Sequence, residues 1–254
     1  MSIIRPFKGI RPRADLASAI AALPYDVYNS EEAREIVAAE PKSFLQIDRA
    51  ETLLPKGTNP YSEAVYKTAS ETLNRMIDEG SFLQDKEPCY YLYALTMNGR
   101  TQTGLVGCAS IDDYCNNVIL KHENTLEAKE QDRIRHIDAC SAQTGPIFLA
   151  YRADKKLGEI IKNVRLTPEV YDFTSDDGIR HEVWRIDKMS TIVDISKIFE
   201  AIPHLYIADG HHRAASAEQK ISIFQKQKNT IIFFLFSSPR TNWRSTTTIE
   251  LLRI

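Results

Sequence analysis

The feature that most constrains the fold is the dipeptide Asn98-Gly99, which separates two largely apolar segments. Asn-Gly readily adopts the left-handed backbone of a two-residue turn, and this turn matches the twist of paired antiparallel strands. The flanking segments, residues 89–97 and 103–111, consist mostly of apolar and aromatic residues. The sequence therefore predicts a β-hairpin and, with it, an antiparallel sheet.

Other segments indicate a second hairpin and several helices. Residues 169–173 and 179–186 flank Asp177-Gly178, which is another turn signal. Helical periodicity and capping residues predict helices at 29–40, 60–79, 125–138, 154–163 and 191–201. The pattern is typical of an α+β fold, in which a mixed or antiparallel sheet is flanked by helices.

Composition limits the partners and the compartment. The chain has 254 residues, 43% of them hydrophobic, which is enough for a large core. A net charge of -2 gives no general attraction to nucleic acid, so we do not expect a nucleic-acid partner. No segment approaches the roughly 20 apolar residues of a membrane span, and no signal peptide is evident. We expect a cytoplasmic protein without a membrane partner and with reduced cysteines.

A polar cluster interrupts the chain between residues 204 and 218. Residues 204–208 resemble a buried strand and 214–218 the start of a helix. The predicted turn between them comprises Asp209, Gly210, His211, His212 and Arg213. Glycine permits close backbone approach, a helix N-terminus attracts anions, and arginine binds phosphate bidentately. We expect the last four residues to bind phosphate and Asp209 to bind a metal ion or accept a proton; alternatively, Asp209 only caps the helix and the histidines lie on the surface.

A second polar cluster spans residues 121–136. At helical spacing, one face carries Lys129, Asp132, Arg133 and His136. Charged pairs at this spacing often only solvate a helix, and that interpretation stays open. His122 and Glu123 precede the helix, at an element boundary where catalytic groups commonly lie. Both are candidate catalytic residues, although no HExxH zinc motif is present.

Several short motifs follow one another in a specific order. They are Arg5-Pro6-Phe7, Pro24-Tyr25-Asp26-Val27, 102–107, 122–125, 129–133, 145–148 and 208–213. In this order, over about residues 3–218, the chain resembles the DUF1015 family. Gly210 and Arg213 are similar to the GxxR phosphate-binding box of the ParB and sulfiredoxin-like fold. Members of that fold include nucleotide-binding partition proteins and kinases that phosphorylate free serine.

The resemblance implies a nucleotide-dependent phosphotransferase that acts on a small hydroxyl substrate, as a free-serine kinase does. In this hypothesis the turn holds the phosphates of ATP or ADP, and Asp209 or Glu123 activates the hydroxyl or holds Mg²⁺. His122 would help to neutralise developing charge. The alternative is a non-catalytic nucleotide-binding switch or a ParB-like regulatory protein.

The segment after Glu218 differs in composition, so we divide the chain into a family-like domain, 1–218, and an atypical tail, 219–254. The apolar segment 231–236 is compatible with an ordinary terminal strand. The other hypothesis is a shifted reading frame that affects Thr241 to Ile254, which would make the chain a truncated family member. Segment 231–236 would then promote aggregation.

Overall fold

The computed structural model describes residues 1–123, 127–223 and 230–238, with only the backbone described for 128–129, 218–223 and 230–238. Within these ranges the chain combines helices with a mixed sheet, which confirms the predicted α+β class. The residues at 124–126, 224–229 and 239–254 lie outside the description.

The strands, numbered in chain order, are β1 Ile4–Arg5, β2 Ile10–Pro12, β3 Phe82–Gln84, β4 Tyr90–Met97, β5 Arg100–Ser110, β6 Ile119–Leu120, β7 Ile147–Arg152, β8 Tyr171–Thr174, β9 Arg180–Ile186, β10 Leu205–Asp209 and β11 Thr230–Ser238. The α-helices are α1 Ala17–Ile20, α2 Ser30–Ala39, α3 Leu45–Asp48, α4 Glu63–Asp78, α5 Ile111–Cys115, α6 Glu127–Cys140, α7 Lys155–Val164, α8 Met189–Glu200 and α9 His211–Ile223. Short 3-10 helices span Ala14–Leu16 and Ala50–Leu53.

The main sheet has the order β6-β10-β7-β11-β5-β4-β9-β8, and β1 pairs with β5 at its side. The part from β11 to β8 is antiparallel throughout, whereas β7 pairs with β11, and β6 with β10, in parallel. A small second sheet joins β2 and β3. The hairpins β4-β5 and β8-β9 are the two that the sequence predicts.

Backbone conformation explains the first hairpin. Asn98 has φ 51° and Gly99 has φ 73°, so both turn residues adopt the left-handed conformation that a two-residue turn of this kind requires. The predicted cap of α2 is also present. Asn29 accepts hydrogen bonds from the amides of Glu31 and Glu32, and the Glu32 carboxylate accepts one from the Asn29 amide.

The central strand β4 is buried on both faces because helices and loops cover both sides of the sheet. Tyr90, Leu92 and Ala94 join the apolar core on one face, together with residues of α7 and α8. The alternate residues of β4 belong to a second core on the opposite face. A third core lies among α2, α3 and α4. Helix α6 packs against α4 and α9, and so connects this third core to the end of β10.

Strand β11 lies between β5 and β7, in the interior of the main sheet. Residues 231–236 therefore form a strand, as the ordinary interpretation of this segment expects. The reading-frame hypothesis concerns residues 241–254, outside the described residues, and the division of the chain at residue 218 also stays a prediction.

The four cysteines all lie in the described part of the chain and are thiols, three of them buried and Cys115 exposed. Burial raises the pKa of Cys89 to about 11. None of the described helices is both long enough and apolar enough to cross a lipid bilayer.

Candidate functional site

The polar cluster at the end of β10 is a strand, a single glycine and a helix. Strand β10 ends at Asp209 and helix α9 begins at His211, so the predicted five-residue turn is wrong in its extent. Gly210 alone, with φ 87°, reverses the chain, and the helix starts at once. His211, His212 and Arg213 therefore form the first turn of α9. Their amides precede the first helical hydrogen bond, from Ala214 N–H to Gly210 O.

The side chain of Arg213 folds back over Gly210. A Cβ atom at residue 210 would lie 3.0 Å from Nε of Arg213 and 3.2 Å from its Nη2. Nη2 also donates a hydrogen bond of 2.7 Å to Oδ2 of Asp209. Both the left-handed backbone and the arginine packing thus favour glycine at this position.

His211 is brought together with His122 and Glu123, the two candidates that precede α6. The imidazole rings of His122 and His211 meet edge to face with their centroids 4.4 Å apart. Nδ1 of the buried His211 lies 3.5 Å from Oε2 of the exposed Glu123. Burial and the neighbouring His122 lower the pKa of His211, so the neutral ring is favoured. Nε2 of His211 has no hydrogen-bond partner within the described part of the chain.

The other predicted residues lie in several parts of the structure. Asp209 is exposed, and His212 is half-buried with its carbonyl accepting a hydrogen bond from Ser216 Oγ. The side chain of Lys129, and Asn124 and Thr125 of the 122–125 motif, lie outside the described residues. Arg5 is exposed on β1, while Phe7 of the same motif packs against Tyr91 in the core.

A cleft opens beside Arg213 and connects the two predicted polar clusters. Its lining includes Tyr25, Asp48, Arg133, His136, Thr144 and Arg213. Arg133 and His136 are buried, so for these two residues of α6 the solvated-face interpretation is wrong. A second, wider cleft shares Tyr25, Asp48, Arg133 and His136 with the first.

Arg133 is held in a network of charge and aromatic contacts. Its Nε donates to Oδ2 of Asp132 at 2.8 Å, and its guanidinium carbon lies 4.0 Å from the ring centroid of Tyr25. The hydroxyl of Tyr66 donates to the other carboxylate oxygen of Asp132. Burial opposes the charge of Arg133, but Asp132 and Asp48 outweigh it and raise the pKa of the guanidinium.

His136 presents one nitrogen to the protein interior and lacks a partner for the other. Nε2 lies 3.1 Å from the carbonyl oxygen of Ile47 and 3.6 Å from Oδ1 of Asp48. Both oxygens are acceptors, so Nε2 carries the proton and Nδ1 is an acceptor. Nδ1 is buried without a hydrogen-bond partner among the described residues. Burial and Arg133 lower the pKa of His136, which keeps the ring neutral.

Sequence analysis missed Asp48 and Thr144, whose side chains meet through a hydrogen bond of 2.8 Å from Thr144 Oγ1 to Asp48 Oδ1. The two residues are far apart in the chain, and each lies in an ordinary sequence context. The one sequence signal near this region is the motif at residues 145–148, which begins next to Thr144.

The described residues contain no group of three or more His, Cys, Asp or Glu side chains arranged to hold a metal ion. Magnesium that accompanies a nucleotide needs only one or two protein carboxylates, because phosphates and water supply the other ligands. The exposed carboxylates of Asp209 and Glu123 have the oxygen chemistry that such a shared ion requires.

The fold and site define an α+β protein with a strand-glycine-helix junction beside a cleft that contains arginine and histidine. The sequence profile of one family, described as "Protein of unknown function (DUF1015)", matches residues 4–236. The chain belongs to this family. The match includes most of β11 and extends beyond residue 218, where the motif resemblance ended. No curated protein and no solved structure matches the chain.

Proposed function

We propose that this protein is a nucleotide-dependent phosphotransferase, which uses ATP or ADP to phosphorylate a small hydroxyl compound. The observation that carries the proposal is the position of Arg213 over Gly210, at the N-terminus of the 13-residue helix α9. The N-terminus of α9 therefore combines the helix dipole, the amides of the first turn and a guanidinium group. Together they favour a phosphate group.

His211, His212 and Arg213 provide the phosphate-binding side of the proposed site. Their backbone amides lie ahead of the first helical hydrogen bond, so helix α9 itself supplies no acceptor for them. Because Gly210 has no side chain, the Arg213 guanidinium lies directly against the backbone at the start of the helix. His122 lies against His211, where a protonated ring would offset the negative charge of the transferred group.

Asp209 and Glu123 provide the carboxylates of the proposed site. Either can accept a hydrogen bond from the substrate hydroxyl, and both have the oxygen ligands that Mg²⁺ prefers. Magnesium bound with the nucleotide would neutralise phosphate charge. Most of the rate enhancement would come from positioning and electrostatics, as is usual in phosphoryl transfer.

One observation favours the alternative of a non-catalytic nucleotide-binding switch or a ParB-like regulator. Asp209 and Arg213 are already paired at 2.7 Å, so a phosphate group that binds Arg213 would compete with Asp209. That exchange would change the end of β10 even without turnover. A switch needs only this change of partner, whereas a phosphotransferase also needs a hydroxyl substrate.

Calorimetric titration of the full chain with ATP and ADP, each with and without Mg²⁺, tests the proposal. We expect Arg213→Ala to weaken binding by about 10- to 100-fold, the usual effect of losing a hydrogen bond from a charged group. Arg180→Ala is the matched control because Arg180 is also paired with an aspartate, Asp172, at 2.7 Å, but on β9. The proposal is wrong if neither nucleotide binds, or if both variants bind as the wild type does.

A further inference from the structure

The cleft lined by Tyr25, Arg133 and His136 contains a buried acceptor that no described residue satisfies. Nδ1 of His136 has no hydrogen-bond partner within the described residues, and His136 is 3% exposed. Leaving a buried polar atom unpaired costs roughly 1–3 kcal/mol. A group that donates a hydrogen bond is therefore expected in this position, and a ligand in the cleft can supply it.

Arg133 supplies the complementary donor on the same face of α6, three residues before His136. Its Nε and Nη2 contact Oδ2 of Asp132, whereas no hydrogen bond joins Nη1 to any described residue. Residues spaced three apart on a helix are neighbours. A hydroxyl group both donates and accepts, so one hydroxyl can donate to His136 Nδ1 and accept from Arg133 Nη1. A carboxylate cannot donate to His136, and a plain ammonium group cannot accept from Arg133.

The charges of the cleft select against an anionic ligand. Arg133 is compensated by Asp132 and lies close to Asp48, and Arg213 is compensated by Asp209. An anionic ligand would have to displace an aspartate from its guanidinium partner, whereas a hydroxyl group would not. Two unit charges 4 Å apart interact by about 1 kcal/mol in bulk water, and by more where water is excluded, so we expect an anion to bind more weakly.

The site around His136 has a narrow part and a wide part. The narrow cleft has room for a group of about the size of water, such as the end of a hydroxymethyl group. The wider cleft shares its wall of Tyr25, Asp48, Arg133 and His136 and continues past Tyr61 and Tyr66. A molecule with a terminal hydroxyl can place that group in the narrow part and its remainder in the wide part.

We propose that this cleft binds a small, uncharged or cationic primary alcohol, such as a polyol or an amino alcohol, through a hydroxyl held between His136 Nδ1 and Arg133. Arg213 lines the same cleft and contacts Gly210, so the bound hydroxyl lies next to the predicted phosphate site. Its role as the phosphoryl acceptor rests on the proposed function. Binding of the alcohol does not rest on the proposed function, because it requires no nucleotide.

The experiment compares small ligands on the full chain by calorimetry or NMR titration, without nucleotide and then with it. The probes are 2-aminoethanol, glycerol, glycolate and ethylamine. We expect 2-aminoethanol and glycerol to bind at least about tenfold more tightly than glycolate at low ionic strength. We expect 2-aminoethanol to bind about three- to tenfold more tightly than ethylamine, which lacks the hydroxyl.

Variants at two histidines locate the hydroxyl. In His136→Gln the amide nitrogen can still donate to the Ile47 carbonyl, as Nε2 does, but the acceptor at Nδ1 is lost. The preference for 2-aminoethanol over ethylamine should disappear in this variant and persist in His204→Gln, which changes an exposed histidine. If His136→Gln does not fold, the ¹⁵N shift of Nδ1 in the wild type provides the readout. It should move when glycerol binds, because the only donors of glycerol are hydroxyl groups, and an unchanged shift would contradict the placement of the hydroxyl.

Three results would overturn the inference. They are equal binding of glycolate, a hydroxyl preference that survives His136→Gln, and absence of binding in both nucleotide states, which would mean that a structural water fills the position. None of these three results changes the expected outcome of the nucleotide titration. Failure of the nucleotide to bind would instead remove the proposed function and leave the alcohol site standing.

Discussion

The phenol oxygen of Tyr93 lies 2.7 Å from Nδ1 of His181, and Ser175 Oγ lies 2.9 Å from Nε2 of the same ring. Ser175 in turn donates to Asp177. One arrangement of protons satisfies every hydrogen bond in this series. Tyr93 donates to a neutral His181, and the Nε2–H of His181 donates to Ser175. His181 is buried and uncharged in this network, and Ser175 and Asp177 connect it to the turn of the β8-β9 hairpin.

The first prediction concerns stability in acid. Burial lowers the pKa of His181 to about 4 from an ordinary 6.5. Above pH 6.5 the ring is neutral in both states. Below it the unfolded chain binds a proton that the folded chain does not, so stability falls until the pH reaches about 4. The loss approaches about 3 kcal/mol.

Urea unfolding of the wild type and of His181→Gln across pH 4–7 checks this prediction. His136 and His211 also have lowered pKa values and add to the slope in both proteins, so the difference between the two isolates His181. The variant should lose part of the pH dependence. Parallel curves for wild type and variant would contradict the assignment.

The second prediction concerns the buried carboxylate of Asp85. It accepts two hydrogen bonds from Arg11, one from Arg185 and a short one from Tyr91, and so ties β2 to β4 and β9. Asp85→Asn would leave the half-buried Arg11 without its counter-charge and would remove the charge of the buried carboxylate. We expect a loss of about 3–5 kcal/mol in the free energy of unfolding.

The exposed pair of Arg13 and Asp15 provides the matched control for Asp85. Exposed ion pairs contribute about 0–1 kcal/mol, so Asp15→Asn should barely change the thermal midpoint. Similar thermal midpoints for Asp85→Asn and Asp15→Asn would show that the contacts of Asp85 stabilise the fold no more than an exposed ion pair does.

The third prediction concerns Gly210. Replacement by alanine forces a side chain into a left-handed conformation, at a cost of about 1–2 kcal/mol, and brings its Cβ to 3.0 Å from Arg213 Nε. We expect Gly210→Ala to lower both stability and nucleotide affinity. Gly158→Ala, inside α7 with open space around the new methyl group, should stabilise the protein by about 0.5–1 kcal/mol. Equal effects of the two substitutions on unfolding would contradict the account of this junction.

The local elements could be predicted from the sequence because their signals are local. Asn98-Gly99 specifies its own turn, and Asn29 and Glu32 specify their own helix cap. The sequence places the start of α9 three residues too late because the polar residues after Gly210 resemble a loop, whereas the glycine alone connects β10 to the helix. Residue types alone do not distinguish a polar loop from the polar first turn of a helix.

The position of β11 and the composition of the cleft could not be predicted because they depend on long-range pairing. Strand β11 inserts between β5 and β7, far from both in sequence. Asp48 reaches Thr144 and His136 only after α3 packs beside α6. The sequence identified Arg133 and His136 as members of one helix face, and only tertiary packing shows that this face is buried.

Phosphoryl transfer is tested most directly by ³¹P NMR of the full chain with ATP or ADP, Mg²⁺ and either glycerol or 2-aminoethanol. We expect a phosphomonoester resonance to grow as the terminal phosphate of the nucleotide declines, and we expect both changes to require the added alcohol and to be lost in Arg213→Ala. A nucleotide that binds and stays intact in the presence of every alcohol would contradict phosphoryl transfer and favour the switch.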